Sequence, residues 1–164
     1  MNRKWFWTGF IAGIFLFILL SVILYTRFVF QADILLNQIE ARDLNNEVID
    51  LSKPTNKPLV INFWATWCAP CIKEFPEFDR IQQRYGDEVD FIMISDETID
   101  KIKQFSISKF YPFRFLKSDK KLSNYDINIL PTTFFYNSKG EIIEKHIGSI
   151  DYIKLEETIK KIDK

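Results

Sequence analysis

Two cysteines follow directly on a strand-like apolar segment, and this arrangement restricts the fold more than any other feature of the sequence. Residues 59 to 65 read Leu-Val-Ile-Asn-Phe-Trp-Ala, a nearly continuous apolar run that is typical of a central strand covered on both faces. Cys68 and Cys71 come next, and residues 69 to about 85 carry apolar side chains at helical spacing. A buried strand that leads through a cysteine pair into a helix is typical of an α/β domain.

The rest of the chain continues this alternation of short apolar strands and longer helical stretches. Further strands are predicted at residues 48 to 51, 89 to 94, 113 to 116, 132 to 136 and 141 to 145, further helices at 98 to 109 and 150 to 162, and a helical turn at 120 to 125. The last two strands are separated by Asn137-Ser138-Lys139-Gly140, which predicts a hairpin. We therefore expect residues 43 to 164 to form one α/β domain.

The N-terminal segment has a different character. Residues 5 to about 25 are uncharged and rich in Phe, Ile and Leu, and about twenty helical residues cover the roughly 30 Å hydrocarbon layer of a membrane. Arg3 and Lys4 precede the run, which favours a cytoplasmic N-terminus and an extracytoplasmic domain. We expect a transmembrane anchor in residues 1 to 30, with a cleaved signal peptide as the alternative. Residues 31 to 42 are expected to form a juxtamembrane stalk or a short amphipathic helix.

Charge and cysteine content exclude several functions. The chain has 164 residues, with 22 Lys and Arg against 22 Asp and Glu, so no excess charge would attract nucleic acid. Only two cysteines are present, so no disulfide framework holds the fold together, and the pair is expected to have a chemical role and not a structural one. A closed zinc site needs four ligands, and the sequence offers only these two cysteines and His146, so no metal is expected.

The position of the pair favours reactivity at the first cysteine. Cys68 falls near the N-terminus of the predicted helix, where free N–H groups and the helix dipole stabilise a thiolate. Pro70 lies in the first turn, where its missing N–H would have had no helical partner. The spacing places Cys71 one turn along, within reach of the first sulfur, so the two can form a reversible disulfide.

The segment Asn62-Phe63-Trp64-Ala65-Thr66-Trp67-Cys68-Ala69-Pro70-Cys71 resembles the active-site segment of the thioredoxin superfamily and, more narrowly, the TlpA/ResA-like branch of membrane-anchored disulfide reductases. The resemblance covers about residues 43 to 162. It implies a thioredoxin-like fold, with a central mixed sheet flanked by helices, and a redox-active disulfide with no other cofactor. Leu130-Pro131-Thr132-Thr133-Phe134-Phe135 matches the cis-proline loop of that family, although a proline before a strand is by itself an ordinary breaker signal.

The resemblance also implies roles for single residues. Pro131 would face the cysteines, and Leu130 would offer backbone hydrogen bonds to a bound substrate segment. Trp67 is expected to flank the site as a contact surface together with Pro70, whereas Trp64 belongs to the core.

Proton transfer is the point at which the sequence departs from thioredoxin. Asn62 stands where thioredoxin has a buried aspartate, so the usual proton acceptor is missing. Glu74 lies on the same helix face as Cys71 and matches a glutamate of the TlpA/ResA-like pattern that is implicated in proton transfer, although a solvated helix carboxylate is the alternative. Asp96 and Glu97 either edge the site or cap the next helix. We assign His146 no role.

We expect a membrane-anchored thiol-disulfide oxidoreductase that reduces extracytoplasmic protein disulfides. The resemblance implies apocytochrome c among the substrates, and a transmembrane thiol carrier of the CcdA or DsbD type as the source of electrons. A disulfide oxidase or isomerase of the same fold, as in DsbA, remains an alternative, since thioredoxin-like pairs span about −270 to −120 mV. A Cu(I)-binding chaperone and a peroxidase are alternatives from other classes.

Overall fold

The N-terminal helix α1, Arg3–Val29, forms a compact unit of its own, and its apolar side chains are exposed from Ile11 to Tyr25. A computed structural model describes residues 3–29, 33–53 and 56–162 of the chain. In those ranges no helix meets the length and hydropathy that a membrane span requires. The structure therefore does not confirm the predicted transmembrane helix.

A seven-stranded mixed sheet organises the second unit, residues 33 to 164. The strands are β1 Ala41–Arg42, β2 Val48–Ile49, β3 Leu59–Phe63, β4 Asp90–Ser95, β5 Arg114–Ser118, β6 Thr132–Tyr136 and β7 Ile142–Ile147, and the helices are α2 Ala69–Tyr85, α3 Ile99–Lys109 and α4 Tyr152–Ile159. Their order in the sheet is β2-β1-β5-β4-β3-β6-β7. Strands β3, β4 and β5 are parallel, and the other pairs are antiparallel, which confirms the predicted mixed α/β sheet.

The apolar run of β3 is explained by its position in the middle of this sheet. Val60 belongs to the core cluster on one face, whereas Ile61 and Phe63 belong to the cluster on the other. Successive side chains of a strand point to opposite faces, so a strand that is covered on both sides needs apolar residues at nearly every position. Asn62 is the polar exception in β3, and its side chain is fully buried.

Most predicted elements are confirmed, including the helix over residues 69–85 and the strand over 132–136. The closing helix is shorter than predicted. It begins at Tyr152 because the Asp151 side chain accepts a hydrogen bond from the Lys154 N–H and so caps it.

A juxtamembrane stalk or a short amphipathic helix is expected at residues 31 to 42, and the structure differs from that expectation over the described residues 33 to 42. Its described residues form a short 3-10 helix, Leu36–Gln38, followed by β1, which pairs with both β2 and β5. Ile34, Ile39 and Ala41 are buried in the core cluster that contains Phe63. This segment is therefore part of the folded domain, and burial of its apolar side chains holds it there.

Candidate functional site

Cys68 and Cys71 form a disulfide at the start of α2. Cys68 is the N-cap residue, and the Cys71 N–H donates to its Sγ at 3.3 Å. Both cysteines are buried, but 5% of the Cys68 residue is exposed to solvent and none of Cys71 is. Pro70 lies exposed in the first helical turn, where its missing N–H costs no hydrogen bond.

A tight turn connects β3 to the cysteines. The Cys68 N–H donates to the Ala65 carbonyl oxygen at 3.1 Å, so residues 65 to 68 close on themselves. Trp67 lies within this turn with 73% of its surface exposed, whereas Trp64, just before the turn, is fully buried. The turn thus presents one indole ring to solvent beside the disulfide and buries the other in the core.

The Leu130–Pro131 peptide bond is cis, an isomer that the sequence alone does not determine. Pro131 is buried, Leu130 is half-buried, and the Pro131 carbonyl oxygen accepts a hydrogen bond of 2.8 Å from the Gly148 N–H. Thr132 at the start of β6 pairs with Phe63 at the end of β3. The proline loop and the cysteine turn therefore lie at the same end of the sheet, beyond the carboxyl end of β3.

Glu74 is buried one helical turn after Cys71, with 3% of its surface exposed. Its Oε1 accepts a hydrogen bond of 2.7 Å from the Asn62 side-chain amide, and its Oε2 accepts one of 3.0 Å from the Ile150 N–H. Burial raises the pKa of Glu74 to about 7, against the lowering effect of these two hydrogen bonds. Glu74 is therefore not the solvated helix carboxylate of the alternative interpretation, and it titrates near neutral pH.

The Asn62 side chain contacts both Glu74 and Thr133, and sequence patterns did not identify Thr133. The Asn62 amide also donates to Thr133 Oγ1 at 3.0 Å, and the sheet register places Asn62 and Thr133 opposite each other. From the sequence, Asn62 is recognised only as a departure from thioredoxin. The apolar runs that contain these two residues predict two strands but not their register, and the register is what joins the two side chains.

The remaining acidic candidates, Asp96 and Glu97, both lie just after β4. Asp96 accepts a hydrogen bond from the Leu122 N–H, and Glu97 accepts two from Thr66, at its N–H and its hydroxyl. Helix α3 has Thr98 as its N-cap residue. Neither acid is that N-cap residue, and Glu97 edges the site through the cysteine turn.

The Nε2 atom of His146 lies 3.0 Å from the carbonyl oxygen of Ser149. Within the described ranges, no group of three or more His, Cys, Asp or Glu side chains is arranged to hold a metal ion.

Folding stability should depend on the protonation of Glu74. Its pKa is 4.5 when exposed and about 7 in the fold, so the folded state binds the proton more tightly. The contribution is fully present below pH 4.5 and is lost as the pH rises through 7, a loss of about 3 kcal/mol in the free energy of unfolding. Urea unfolding of the oxidised protein at pH 5 and pH 8 measures it. A Glu74→Gln variant has no carboxyl there to titrate and should lack this part of the fall, and equal pH profiles for the two proteins would contradict the assignment.

A mixed sheet whose central strand leads into a disulfide at a helix N-terminus, beside a cis-proline loop, defines a thioredoxin-like thiol-disulfide oxidoreductase. Comparison with known proteins agrees. The model of the AhpC/TSA family matches residues 34–145. The thiol-disulfide oxidoreductase ResA of Bacillus thuringiensis (strain Al Hakam) is 33% identical over 125 residues, which are 73% of this chain and 72% of the relative.

Two further comparisons extend this result. The thioredoxin-like protein YneN of Bacillus subtilis (strain 168) is 30% identical over 124 residues, 72% of each chain. The crystal structure of StoA from Bacillus subtilis is 25% identical with a TM-score of 0.59, covering 79% of this chain and 97% of StoA. The chain therefore belongs to the AhpC/TSA family and, within it, to the ResA-like thiol-disulfide oxidoreductases.

Proposed function

We propose that the protein reduces disulfides in other proteins, with Cys68 as the attacking thiolate and Cys71 as the resolving thiol. The difference in exposure between the two residues carries this assignment, because of the two cysteines only Cys68 retains any exposed surface. The Cys71 N–H that points at Cys68 Sγ supports it, because an N–H donor stabilises negative charge on that sulfur.

The reaction transfers two electrons to the substrate. The Cys68 thiolate attacks one sulfur of the substrate disulfide, a mixed disulfide forms, and the other substrate sulfur leaves as a thiolate that takes up a proton. Cys71 then loses its proton and attacks Cys68 Sγ, which releases the second substrate sulfur and closes the Cys68–Cys71 bridge. The substrate is reduced by two electrons, and the enzyme is oxidised by two.

Glu74 is proposed to accept the Cys71 proton. It follows Cys71 by three residues and so shares its helix face, and it is buried as Cys71 is. With a pKa of about 7, the carboxylate accepts a proton at neutral pH and returns it without a large free-energy cost.

The substrate segment is proposed to bind at the end of the sheet that carries the disulfide. Leu130, before the cis-proline Pro131, would offer backbone groups to an extended chain, as a short added strand does. The exposed Trp67 ring and Pro70 would supply apolar contact surface beside Cys68.

We further propose that α1 anchors the domain in a membrane with the N-terminus in the cytoplasm. The uncharged residues 5–25, the exposed apolar side chains of α1 and the basic Arg3 and Lys4 support this arrangement. After alkaline washing, membranes should retain the full-length chain and release a chain that begins at Asp33.

Electrons would then reach the oxidised enzyme from a transmembrane thiol carrier of the CcdA or DsbD type, and apocytochrome c is a proposed substrate.

The reduction potential tests the direction of transfer. Equilibration of the purified protein with glutathione or dithiothreitol buffers should give a value nearer to about −270 mV than to about −120 mV. A Cys71→Ser variant, which cannot close the bridge, is the control for the signal. A potential near −120 mV would assign the protein to the oxidases and overturn the proposed direction.

A further inference from the structure

The turn that carries the exposed tryptophan is held by a carboxylate from a neighbouring loop. Glu97, just after β4, accepts a hydrogen bond of 2.6 Å from the Thr66 N–H at its Oε2 and one of 2.9 Å from the Thr66 hydroxyl at its Oε1. Both oxygens are thus used by a single residue, which lies two positions before Cys68. The contact joins loops that are 31 residues apart in the chain.

The Thr66 N–H takes no part in the pairing of the sheet or in the turn's own hydrogen bond. The pairing of β3 with β4 covers Leu59 to Phe63, and the Trp64 N–H extends it by donating to the Ile94 carbonyl oxygen. Thr66 is the second residue of the turn closed by Cys68 and Ala65, where an N–H points away from the turn's own hydrogen bond. Glu97 supplies the acceptor that this N–H would otherwise lack.

The Glu97 carboxylate is itself held in a restricted position. Only 8% of its side chain is exposed, and its nearest cation, the Lys101 Nζ, lies 3.7 Å away. A carboxylate with so little contact with water needs hydrogen-bond donors, and Thr66 provides two. The two hydrogen bonds from the same residue, at its N–H and its hydroxyl, restrict both partners and hold the turn in place.

We propose that Glu97 is a positioning residue for thiol-disulfide exchange: by holding Thr66 it fixes the turn that sets Trp67 and Cys68 against an incoming protein disulfide. The inference rests on the proposed function for its consequence in catalysis. Its structural part, the restraint on Thr66, stands separately. The sheet is already paired up to Trp64 without Glu97, so the effect should be local to the turn.

A comparison of Glu97→Ala with Glu97→Gln tests this role. Glutamine keeps an acceptor oxygen for the Thr66 N–H, whereas alanine removes both bonds. For reduction of insulin disulfides we expect Glu97→Ala to lose about tenfold in kcat/KM, mainly through KM, because small misplacements of reacting groups cost up to about 100-fold. Glu97→Gln should stay within about twofold of the wild type. Alkylation of reduced Cys68 by iodoacetamide, which needs no docking, should change by less than about twofold in either variant.

Hydrogen exchange of the Thr66 amide separates this inference from the proposed function. Loss of the acceptor should speed exchange of this amide at least about tenfold in Glu97→Ala and leave it nearly unchanged in Glu97→Gln. If the wild type fails to reduce insulin but the exchange rates differ as expected, the proposed function is wrong and the restraint is real. Equal exchange in all three proteins, or a Glu97→Gln variant that loses as much kcat/KM as Glu97→Ala, would overturn the positioning role.

Discussion

A Cys68→Ser variant should lose at least about 10³-fold in the rate of disulfide reduction, because in the proposed mechanism Cys68 supplies the attacking sulfur, and the sequence has no third thiol to replace it. Cys71→Ser should also fail to turn over, but for a different reason. Cys68 still attacks in that variant, and the mixed disulfide then persists because the resolving thiol is absent. Non-reducing electrophoresis of each variant after incubation with an oxidised protein measures the trapped species.

The two variants serve as matched controls for each other, because each replaces one sulfur by one oxygen in the same helical turn. Cys71→Ser should accumulate a covalent complex that dithiothreitol releases, whereas Cys68→Ser should accumulate almost none. The same pair of variants, expressed in the source cell, identifies the physiological substrates. If Cys68→Ser trapped complex and Cys71→Ser did not, the proposed order of attack would be reversed. Equal trapping by both variants would mean that either thiol attacks, and the difference in exposure between the two cysteines would have no functional meaning.

The cysteine pair and its surroundings could be predicted because their signals are local in the chain. The apolar run of β3, the two cysteines and the helical spacing after them lie within residues 59 to 85, and each pattern is set by neighbouring residues. The strand over 132–136 was predicted for the same reason. The isomer of the Leu130–Pro131 bond could not be predicted, since nothing in the local sequence fixes it, and the structure shows it to be cis.

The environment of Glu74 could not be predicted in this way. Its two hydrogen-bond donors lie 12 and 76 residues away, and the Asn62 amide that fixes it also reaches Thr133, 71 residues away. A helical periodicity places Glu74 on a face of α2 but does not say what covers that face. Its burial, and with it the raised pKa, depends on the packing of separate elements.

Strand β1 escaped prediction for a related reason. Strand β1 has two residues, too few to show a period, and it forms because β5 and β2 pair with it on either side. The contact of Glu97 with Thr66 likewise depends on two loops that the parallel strands β3 and β4 bring together. The residues that surround the cysteines were thus less predictable than the cysteines themselves, because tertiary pairing selects them.

Helix α2, which begins just after Cys68 and contains Cys71 and Glu74, is held to the sheet by an aromatic cluster. Phe75 is the central residue of this cluster. The Phe75 ring is fully buried and lies 5.1 Å from the Trp64 ring, measured between centroids. Four further rings lie between 5.5 and 6.3 Å from it: Phe105, Tyr111, Phe113 and Phe115. Most of these contacts are edge-to-face, a geometry that favours aromatic pairs.

We expect Phe75→Ala to lower the free energy of unfolding by about 3–5 kcal/mol, because it removes the ring and leaves a cavity that its neighbours fill only in part. Phe110→Ala is the matched control: its ring is 85% exposed, so the same substitution should change stability by less than about 0.5 kcal/mol. Urea unfolding of the oxidised proteins measures both, and Phe75→Leu, expected to cost about 1.5 kcal/mol, keeps the comparison possible if the alanine variant does not fold. A loss below about 1 kcal/mol for Phe75→Ala would mean that the surrounding rings close over the gap, and that α2 is held by contacts outside this cluster.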